Sequence, residues 1–243
     1  ALGECLRASS VNRDDVVIAT KVGKMTTRPG LSPENILAAA DESLARLGVD
    51  TIDLYYAHRD DDTVPLEDTL GAFQQLIDAG KVRAIGASNF TSARLSHALD
   101  LAHTHGLPRY VAVQNHYNLV ARETYESDMA PLVEREELWG LPYFALASGF
   151  LTGKYRRGEP SDSVRLERVE GDYFSEENFD TLDRLLAVAS RLEVAPASVA
   201  LEWLRRQRGV TAPIASASRI DQLDALLVDV TLSDADLAEL SGA

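Results

Sequence analysis

The chain has 243 residues, of which 45% are hydrophobic and 26% charged, so it can bury a sizeable core and is not expected to be disordered. The formal net charge of −14 argues against nucleic acid as a partner, because that binding needs Lys and Arg to neutralise phosphates. The single cysteine, Cys5, excludes a disulfide framework, and the lack of a long apolar run argues against a membrane span, so a cytoplasmic protein is expected.

Short β-branched runs alternate along the chain with longer amphipathic stretches. We expect strands at residues 16–21, 51–58, 82–89, 110–115, 141–147 and 213–217. We expect helices at residues 33–47, 66–79, from 90 to about 106, within 123–138, and at 175–192, 196–207 and 222–228, with a short one after Ser233. The first of these helices is the best marked, with Ser32 as N-cap, Pro33 at its first position and Gly48 just past its end.

The spacing of the expected strands indicates the fold class. The first five strand ends fall 37, 31, 25 and 29 residues apart, at Lys21, His58, Asn89, Gln114 and Tyr143. Repeated β/α units predict a parallel sheet, and runs that are apolar on both faces agree with it. The near-constant period favours an α/β protein of the (β/α)8 TIM-barrel type, with residues 1–243 as a single domain. A doubly wound sheet is disfavoured because no Gly-x-Gly-x-x-Gly follows any strand.

Two β/α units are expected to lie before Ala1. A barrel closes with eight strands, whereas six are visible, and residues 1–9 already have the pattern of a helix end. A second irregularity is the polar stretch at residues 153–173, between the fifth and sixth strands. A mobile lid and a solvated insertion are equally compatible with its composition.

Polar residues end several of the expected strands, at the edge where barrel enzymes place their chemistry. Alternation puts Ala19 with Lys21 on one strand face, and Tyr56 with His58 on another. A solvated lysine and a structural histidine are the ordinary alternatives for such residues. Their convergence with the other polar strand ends favours a functional site. The converging residues are Lys21, His58, Ser88, Asn89, Gln114, Ser216 and Ser218.

Six segments, taken together and in order, resemble the aldo/keto reductase family in its bacterial style. They lie at residues 18–21, 52–59, 80–89, 114–118, 141–143 and 146–155, so that the resemblance extends over essentially the whole chain. The resemblance implies an enzyme that uses NADP(H) to reduce a small aldehyde or ketone to an alcohol. It also implies acid–base chemistry by a tetrad of Asp, Tyr, Lys and His.

The resemblance carries specific roles onto individual residues. Lys21 matches the catalytic lysine of the family and His58 its catalytic histidine, whereas Tyr143 matches the aromatic that stacks on nicotinamide. The carboxamide of nicotinamide would be held by Ser88, Asn89 and Gln114, the pyrophosphate by Leu146, Ser148 and Gly149, and the adenosine 2′-phosphate by Ser216, Ser218, Arg219 and Gln222. An arginine among hydroxyls suits a phosphate dianion, which favours NADP over NAD.

The sequence departs from the family in three ways. No Asp-x4-Tyr motif precedes Val16, so the catalytic Asp and Tyr of the family match no residue here. Tyr56 would lie one layer below His58 and would be a poor substitute. The usual Asn soon after Gln222 is also absent. We therefore expect the chain by itself to bind the cofactor poorly and turn over little.

Two other functions fit the same residues. Lys21 could form a Schiff base in an aldolase-type lyase, which would require its amine to be neutral through desolvation or a nearby cation. The sequence offers no such cation on a neighbouring strand end. Alternatively, the chain could be a reductase-like module that binds a nicotinamide nucleotide without turnover.

Overall fold

The computed structural model describes residues 2–158 and 166–242. The chain divides into two compact units, one formed by Ala1–Gln114 with Glu136–Leu138, the other by Asn115–Arg135 with Trp139–Ala243. Each unit is described by itself below. The expectation of a single domain over residues 1–243 stays a prediction, as does that of two further β/α units.

The first unit is built on a parallel sheet whose strands alternate with helices, as the sequence predicts. Its main strands lie in the order β1–β4–β5–β6, and β2 and β3 form a short antiparallel hairpin. Its elements are α1 (Leu2–Ala8), β1 (Ala19–Val22), β2 (Lys24–Met25), β3 (Arg28–Pro29), α2 (Pro33–Leu47), β4 (Ile52–Ala57), α3 (Leu66–Asp78), β5 (Val82–Ser88), α4 (Ser92–His105) and β6 (Tyr110–Gln114).

Helix α2 forms with both of its predicted ends. The Ser32 hydroxyl accepts a hydrogen bond from the Asn35 amide at 3.3 Å, which satisfies one of the free N–H groups of the first turn. Gly48 takes a left-handed conformation (φ 70°) and donates its amide to Leu44 O at 2.8 Å. Local capping signals therefore decide the ends of this helix.

Strand β4 is buried on both faces, as its lack of strict polar and apolar alternation predicts. Tyr55 packs edge-to-face on Phe73 of α3, with ring centroids 5.8 Å apart, and Phe73 packs in turn on Tyr110 of β6. The next residue, Tyr56, points to the opposite face because side chains alternate along a strand. The helices thus cover one face of the sheet, and the polar strand ends share the other face with Tyr56.

The second unit is mainly helical in its described part. Helices α7, α8 and α10 pack together, and the indole N–H of the buried Trp203 donates to Ser241 Oγ at 3.1 Å. The elements of this unit are a π-helical turn (Tyr125–Met129), α5 (Ala130–Arg135), β7 (Trp139–Gly140), a 3-10 segment (Ala147–Thr152), α6 (Leu166–Tyr173), α7 (Glu176–Arg191), α8 (Pro196–Arg205), a 3-10 turn (Ile220–Gln222), α9 (Leu223–Leu227) and α10 (Asp234–Ser241).

Two predicted strands are wrong. Residues 141–147 do not form one, because Phe144 and Ala147 have positive φ angles of 54° and 48°, which an extended strand cannot contain. Residues 213–217 do not form one either, although the Ile214 amide donates to Pro142 O at 2.9 Å. Both segments are therefore apolar runs that do not form β-strands.

Three boundaries also differ from prediction. The first strand begins at Ala19 rather than at residue 16, because the Ile18 amide is bound by the Asp53 carboxylate at 2.7 Å. The predicted helix within 123–138 is divided between the π-helical turn and α5. Of the predicted loop at 153–173, the last part forms α6, and residues 159–165 lie outside the described residues.

Over residues 2–158 and 166–242, no helix has the length and apolar character needed to cross a membrane.

Candidate active site

Lys21 and Gln114 come together in the first unit, as their strand-end positions predict. Lys21 lies opposite Tyr56 in the β1–β4 register, and its Nζ is 5.7 Å from the Tyr56 ring centroid. The same Nζ donates a hydrogen bond to Gln114 Oε1. Two strands, β4 and β5, lie between β1 and β6, the strand that ends at Gln114, so this contact crosses the face of the sheet.

The ammonium group of Lys21 is in an unfavourable place for a charge. Burial lowers its pKa below the ordinary value of 10.5, and the nearby charge of Lys24 lowers it further. Within the described parts of the chain Lys21 forms no ion pair. The sequence analysis considered cations on neighbouring strand ends and did not identify Lys24, which lies three residues further along the same segment, in the hairpin.

His58 directly follows β4 and is half-buried. Its amide donates to Val22 O at 2.9 Å, which fixes the end of β4 beside the end of β1. Burial lowers the pKa of the imidazole to about 4, with added repulsion from Lys21, Lys24 and Arg59. At neutral pH the ring is therefore uncharged, and one of its nitrogens can donate a hydrogen bond to a ligand oxygen.

Ser88, Asn89 and Gln114 form one hydrogen-bonded set. The Ser88 hydroxyl, which is fully buried, donates to Gln114 O at 2.7 Å. The Asn89 amide donates to Ser88 Oγ at 3.0 Å and to His58 O at 2.8 Å. Asn89 has a φ of 57°, a left-handed conformation that asparagine tolerates better than most residues and that turns its side chain back over the strand ends.

Tyr56 is a poor proton donor where it lies. Its hydroxyl is buried and makes no hydrogen bond of acceptable geometry among the described residues, although the nearby Gln114 side chain acts to lower its pKa. Burial raises the pKa of this phenol to about 12, whereas a donor acting near pH 7 needs a pKa that is lowered. The position therefore agrees with the expectation that Tyr56 does not replace the tyrosine of the family.

In the second unit, Tyr143 stacks on the ring of His116. The two centroids are 5.6 Å apart and the planes 15° from parallel. The main chain supports this pair, because the Tyr143 amide donates to Asn115 O at 3.1 Å and His116 forms an isolated parallel bridge with Tyr143. Sequence reasoning identified Tyr143 but not His116, although His116 lies within one of the resembling segments.

The segment after Leu146 is a strained turn. Ser148 has a φ of 56° and Gly149 a φ of 102°, so two consecutive residues lie in the left-handed region. Ser148 is only 9% exposed, and its hydroxyl has no hydrogen-bond partner in the described structure. A buried donor without a partner is uncommon, and an anionic oxygen would satisfy it. This turn therefore fits a phosphate-bearing cofactor.

The segment predicted to bind the 2′-phosphate is exposed and satisfies its own polar groups. Its residues Ser216, Ser218 and Arg219 are all exposed. The amide and hydroxyl of Ser218 donate to Gln222 Oε1 at 2.9 and 3.2 Å. Arg219 donates twice to the Asp221 carboxylate, at 3.0 and 2.8 Å, and the sequence analysis did not identify this partner. Exposed ion pairs are weak, so a phosphate would have to displace only a modest interaction.

A cavity of about 490 Å³ lies beside the β2–β3 hairpin of the first unit. Its Asp60 is neutralised by Arg94 at 2.9 Å, and its Asp61 accepts the Leu31 amide at 2.8 Å. The remaining lining residues are Gly23, Pro29, Gly30, Arg59 and Asp62.

No cluster of His, Cys, Asp or Glu able to hold a metal ion occurs within the described ranges.

Comparison with known proteins gives a family and several relatives. The sequence model of the "Aldo/keto reductase family" matches residues 1–243. The chain is 32% identical over 243 residues to the L-glyceraldehyde 3-phosphate reductase of Escherichia coli K12, covering 94% of this chain and 69% of that protein. It is 31% identical to a putative voltage-gated potassium channel subunit beta of Schizosaccharomyces pombe (91% and 68% covered). An aldo-keto reductase of Fusarium vanettenii is 34% identical (88% and 57% covered).

Proposed function

The chain belongs to the aldo/keto reductase family, an oxidoreductase family with a (β/α)8 barrel fold, and from that membership we propose that it takes part in NADP(H)-dependent reduction of an aldehyde or ketone to an alcohol. The observation that carries the proposal is that a partly buried Lys21 and a neutral His58 lie at the ends of two adjacent strands. A reductase needs such groups where negative charge develops on the carbonyl oxygen.

The residues of the first unit have distinct roles in this proposal. The neutral imidazole of His58 donates a hydrogen bond to the substrate carbonyl oxygen and orients it. The Lys21 ammonium stabilises the charge that develops on this oxygen, and its own burial strengthens that effect. The dihydronicotinamide of NADPH supplies the hydride when it is bound. The tyrosine that donates the proton in the family matches no residue of this sequence.

The proposed cofactor contacts follow from what each residue can donate or accept. The Asn89 side-chain oxygen is the acceptor, and the Gln114 side-chain N–H group the donor, that suit the nicotinamide carboxamide. Tyr143 offers a flat ring for stacking. The unpartnered hydroxyl of Ser148 supports a role in binding the pyrophosphate, together with Leu146 and Gly149. Ser216, Ser218, Arg219 and Gln222 are proposed to bind the 2′-phosphate, with Arg219 exchanging Asp221 for it.

We expect the protein to bind NADPH and to oxidise it in the presence of a carbonyl compound. Cofactor fluorescence would be titrated with the full-length gene product and with the present chain, and NADPH consumption then followed with a panel of aldehydes and ketones. Binding with turnover supports the reductase. Binding without turnover by the full-length product across the panel would favour the module that holds the nucleotide without catalysis. If neither protein binds NADPH, the proposed cofactor contacts are wrong.

A phosphate-bearing aldehyde is the proposed substrate class. Two of the relatives are L-glyceraldehyde 3-phosphate reductases, from two strains of Escherichia coli. In the described structure Lys24 and Arg59 are exposed and form no ion pair, although the chain as a whole carries an excess of acidic residues. Both raise the positive potential at His58, and Arg59 lines the adjacent cavity. Although Arg59 also interacts with the charge of Asp61, two cations beside a carbonyl site would attract a substrate phosphate.

Replacing Lys24 or Arg59 by alanine is expected to raise KM for glyceraldehyde 3-phosphate by about tenfold or more, because one charge-assisted contact is lost. KM for unphosphorylated glyceraldehyde should stay unchanged. Arg28→Ala is the matched control, because Arg28 lies in the same hairpin but is bound by Glu42 at 2.6 Å. An equal rise in KM for both substrates would contradict the phosphate proposal and leave the reductase proposal standing.

The Schiff-base lyase is a second candidate, favoured by the lowered pKa of Lys21 and the nearby Lys24. It requires the Lys21 amine to attack a substrate carbonyl carbon with loss of water. Reduction with borohydride in the presence of substrate would then attach the substrate to Lys21, whereas a hydride-transferring enzyme would leave this residue unmodified.

A further inference from the structure

His116 is exposed, yet its ring is held by several neighbours in the second unit. Its Nε2 lies 2.9 Å from the Tyr173 hydroxyl and 3.2 Å from Asn118 Nδ2. Phe144 packs against it edge-on, with centroids 5.6 Å apart, and Tyr143 stacks on its face. Because solvent leaves an exposed imidazole free to rotate, these contacts are what fix the ring.

The hydrogen bonds of Asn118 determine the tautomer of His116. Asn118 is fully buried, and its Oδ1 accepts the Val120 amide at 3.0 Å while its Nδ2 donates to Phe144 O at 2.9 Å. Turning the amide over would set donor against donor at Val120 and acceptor against acceptor at Phe144. The group facing His116 is therefore an N–H donor, so Nε2 must be unprotonated and the ring proton must lie on Nδ1.

The same amide supports a strained part of the main chain. Phe144 has a φ of 54°, which is unfavourable for an aromatic residue, and its carbonyl is one of the two acceptors of Asn118 Nδ2. Tyr143 immediately precedes this turn. The Asn118 side chain thus contacts both the ring of His116 and the turn that follows Tyr143.

Tyr173 connects this cluster to helix α6, of which it is the last residue. It is only 3% exposed, and its ring is nearly parallel to that of Phe150, with centroids 6.2 Å apart. The packed ring therefore holds its hydroxyl against His116. Because Nε2 can only accept, the Tyr173 hydroxyl must donate to it.

We propose that His116 is the positioning residue of Tyr143: held as the neutral Nδ1–H tautomer by Asn118 and Tyr173, it backs one face of Tyr143 and thereby fixes the ring plane offered to nicotinamide. The proposal rests on the proposed function, because only cofactor stacking gives the plane of Tyr143 a role. Through its contact with His116, the end of α6 then supports the cofactor site.

The test compares two variants that each remove one buried tyrosine hydroxyl from the second unit. Tyr173→Phe keeps the ring but loses the bond to His116, whereas Tyr125→Phe loses a bond of 2.7 Å to Gly209 O. Each is expected to lower Tm by about 2–4 °C. Only Tyr173→Phe should raise the Kd for NADPH, by about three- to tenfold, when fluorescence titrations are made on the full-length gene product.

Equal Kd values for wild type and Tyr173→Phe, with binding intact, would overturn the positioning role and leave the proposed function standing. If the wild type does not bind NADPH, the proposed function fails, and with it the positioning role. The tautomer is tested separately by nitrogen-15 NMR of labelled histidine, with His116→Gln identifying the signal. A protonated Nε2 at neutral pH would contradict the hydrogen-bond assignment.

Discussion

Lys21→Met is expected to lower kcat for NADPH-dependent carbonyl reduction by about 10²- to 10⁴-fold, in the range of a lost acid–base or electrostatic group, while NADPH affinity is retained. Methionine keeps a flexible apolar side chain in the half-buried space beside Tyr56 but removes the charge. The chain would therefore keep its packing and lose the group that stabilises negative charge on the carbonyl oxygen. The measurement is steady-state NADPH oxidation by the full-length gene product, with cofactor titration alongside.

Lys81→Met is the matched control, because Lys81 is only partly buried, pairs with Asp41 and directly precedes β5, at the ends of the strands opposite to the site. It should leave kcat unchanged. Since burial lowers the pKa of Lys21, activity that needs its ammonium form should fall on the alkaline side below the ordinary value of 10.5. Unaltered turnover in Lys21→Met would remove this residue from the mechanism.

The second large effect is expected on stability. Asp53→Ala should lower the free energy of unfolding by about 2–3 kcal/mol, because the nearly buried carboxylate accepts the Ile18 amide at 2.7 Å, Arg13 at 2.6 Å and Arg83 at 2.8 Å. Without it, the Ile18 amide and part of Arg13 lose their partner. The expected loss of unfolding free energy is smaller than for a fully buried ion pair, because the Arg83 side chain is 57% exposed. Urea unfolding of the two proteins measures it.

Asp14→Ala provides the control, because this carboxylate is 77% exposed and 3.9 Å from Arg83. Its unfolding free energy should change by less than about 0.5 kcal/mol. Burial acts to raise the pKa of Asp53, but the Ile18 amide and the two arginines together bring it below the ordinary value of 3.8. The stabilisation is thus complete above about pH 4 and is lost as pH falls through the lowered pKa. A difference in unfolding free energy between wild type and Asp53→Ala that does not shrink as the pH falls below 3.8 would contradict this account.

The residues of the first-unit site could be predicted because their signals are local. Period-two alternation predicts the strand faces on which Lys21 and His58 lie. Ser88, Asn89 and Gln114 end their strands, and a parallel sheet brings such strand ends to one edge. The capping residues of α2 fixed both ends of that helix in the same way. The family motifs likewise identified Tyr143 and Ser148, although their cofactor roles stay predictions.

Tertiary structure alone decided the rest. The sequence at 141–147 and 213–217 is as apolar as a strand, but left-handed residues such as Phe144 bend the first segment, and their strain is offset by a distant amide, Asn118. Likewise, no local pattern predicts that the Asp53 carboxylate binds the Ile18 amide, or that Tyr173 reaches His116 from 57 residues away. Propensity and periodicity act over a few residues, whereas these contacts join groups far apart in sequence, so only the folded chain could reveal them.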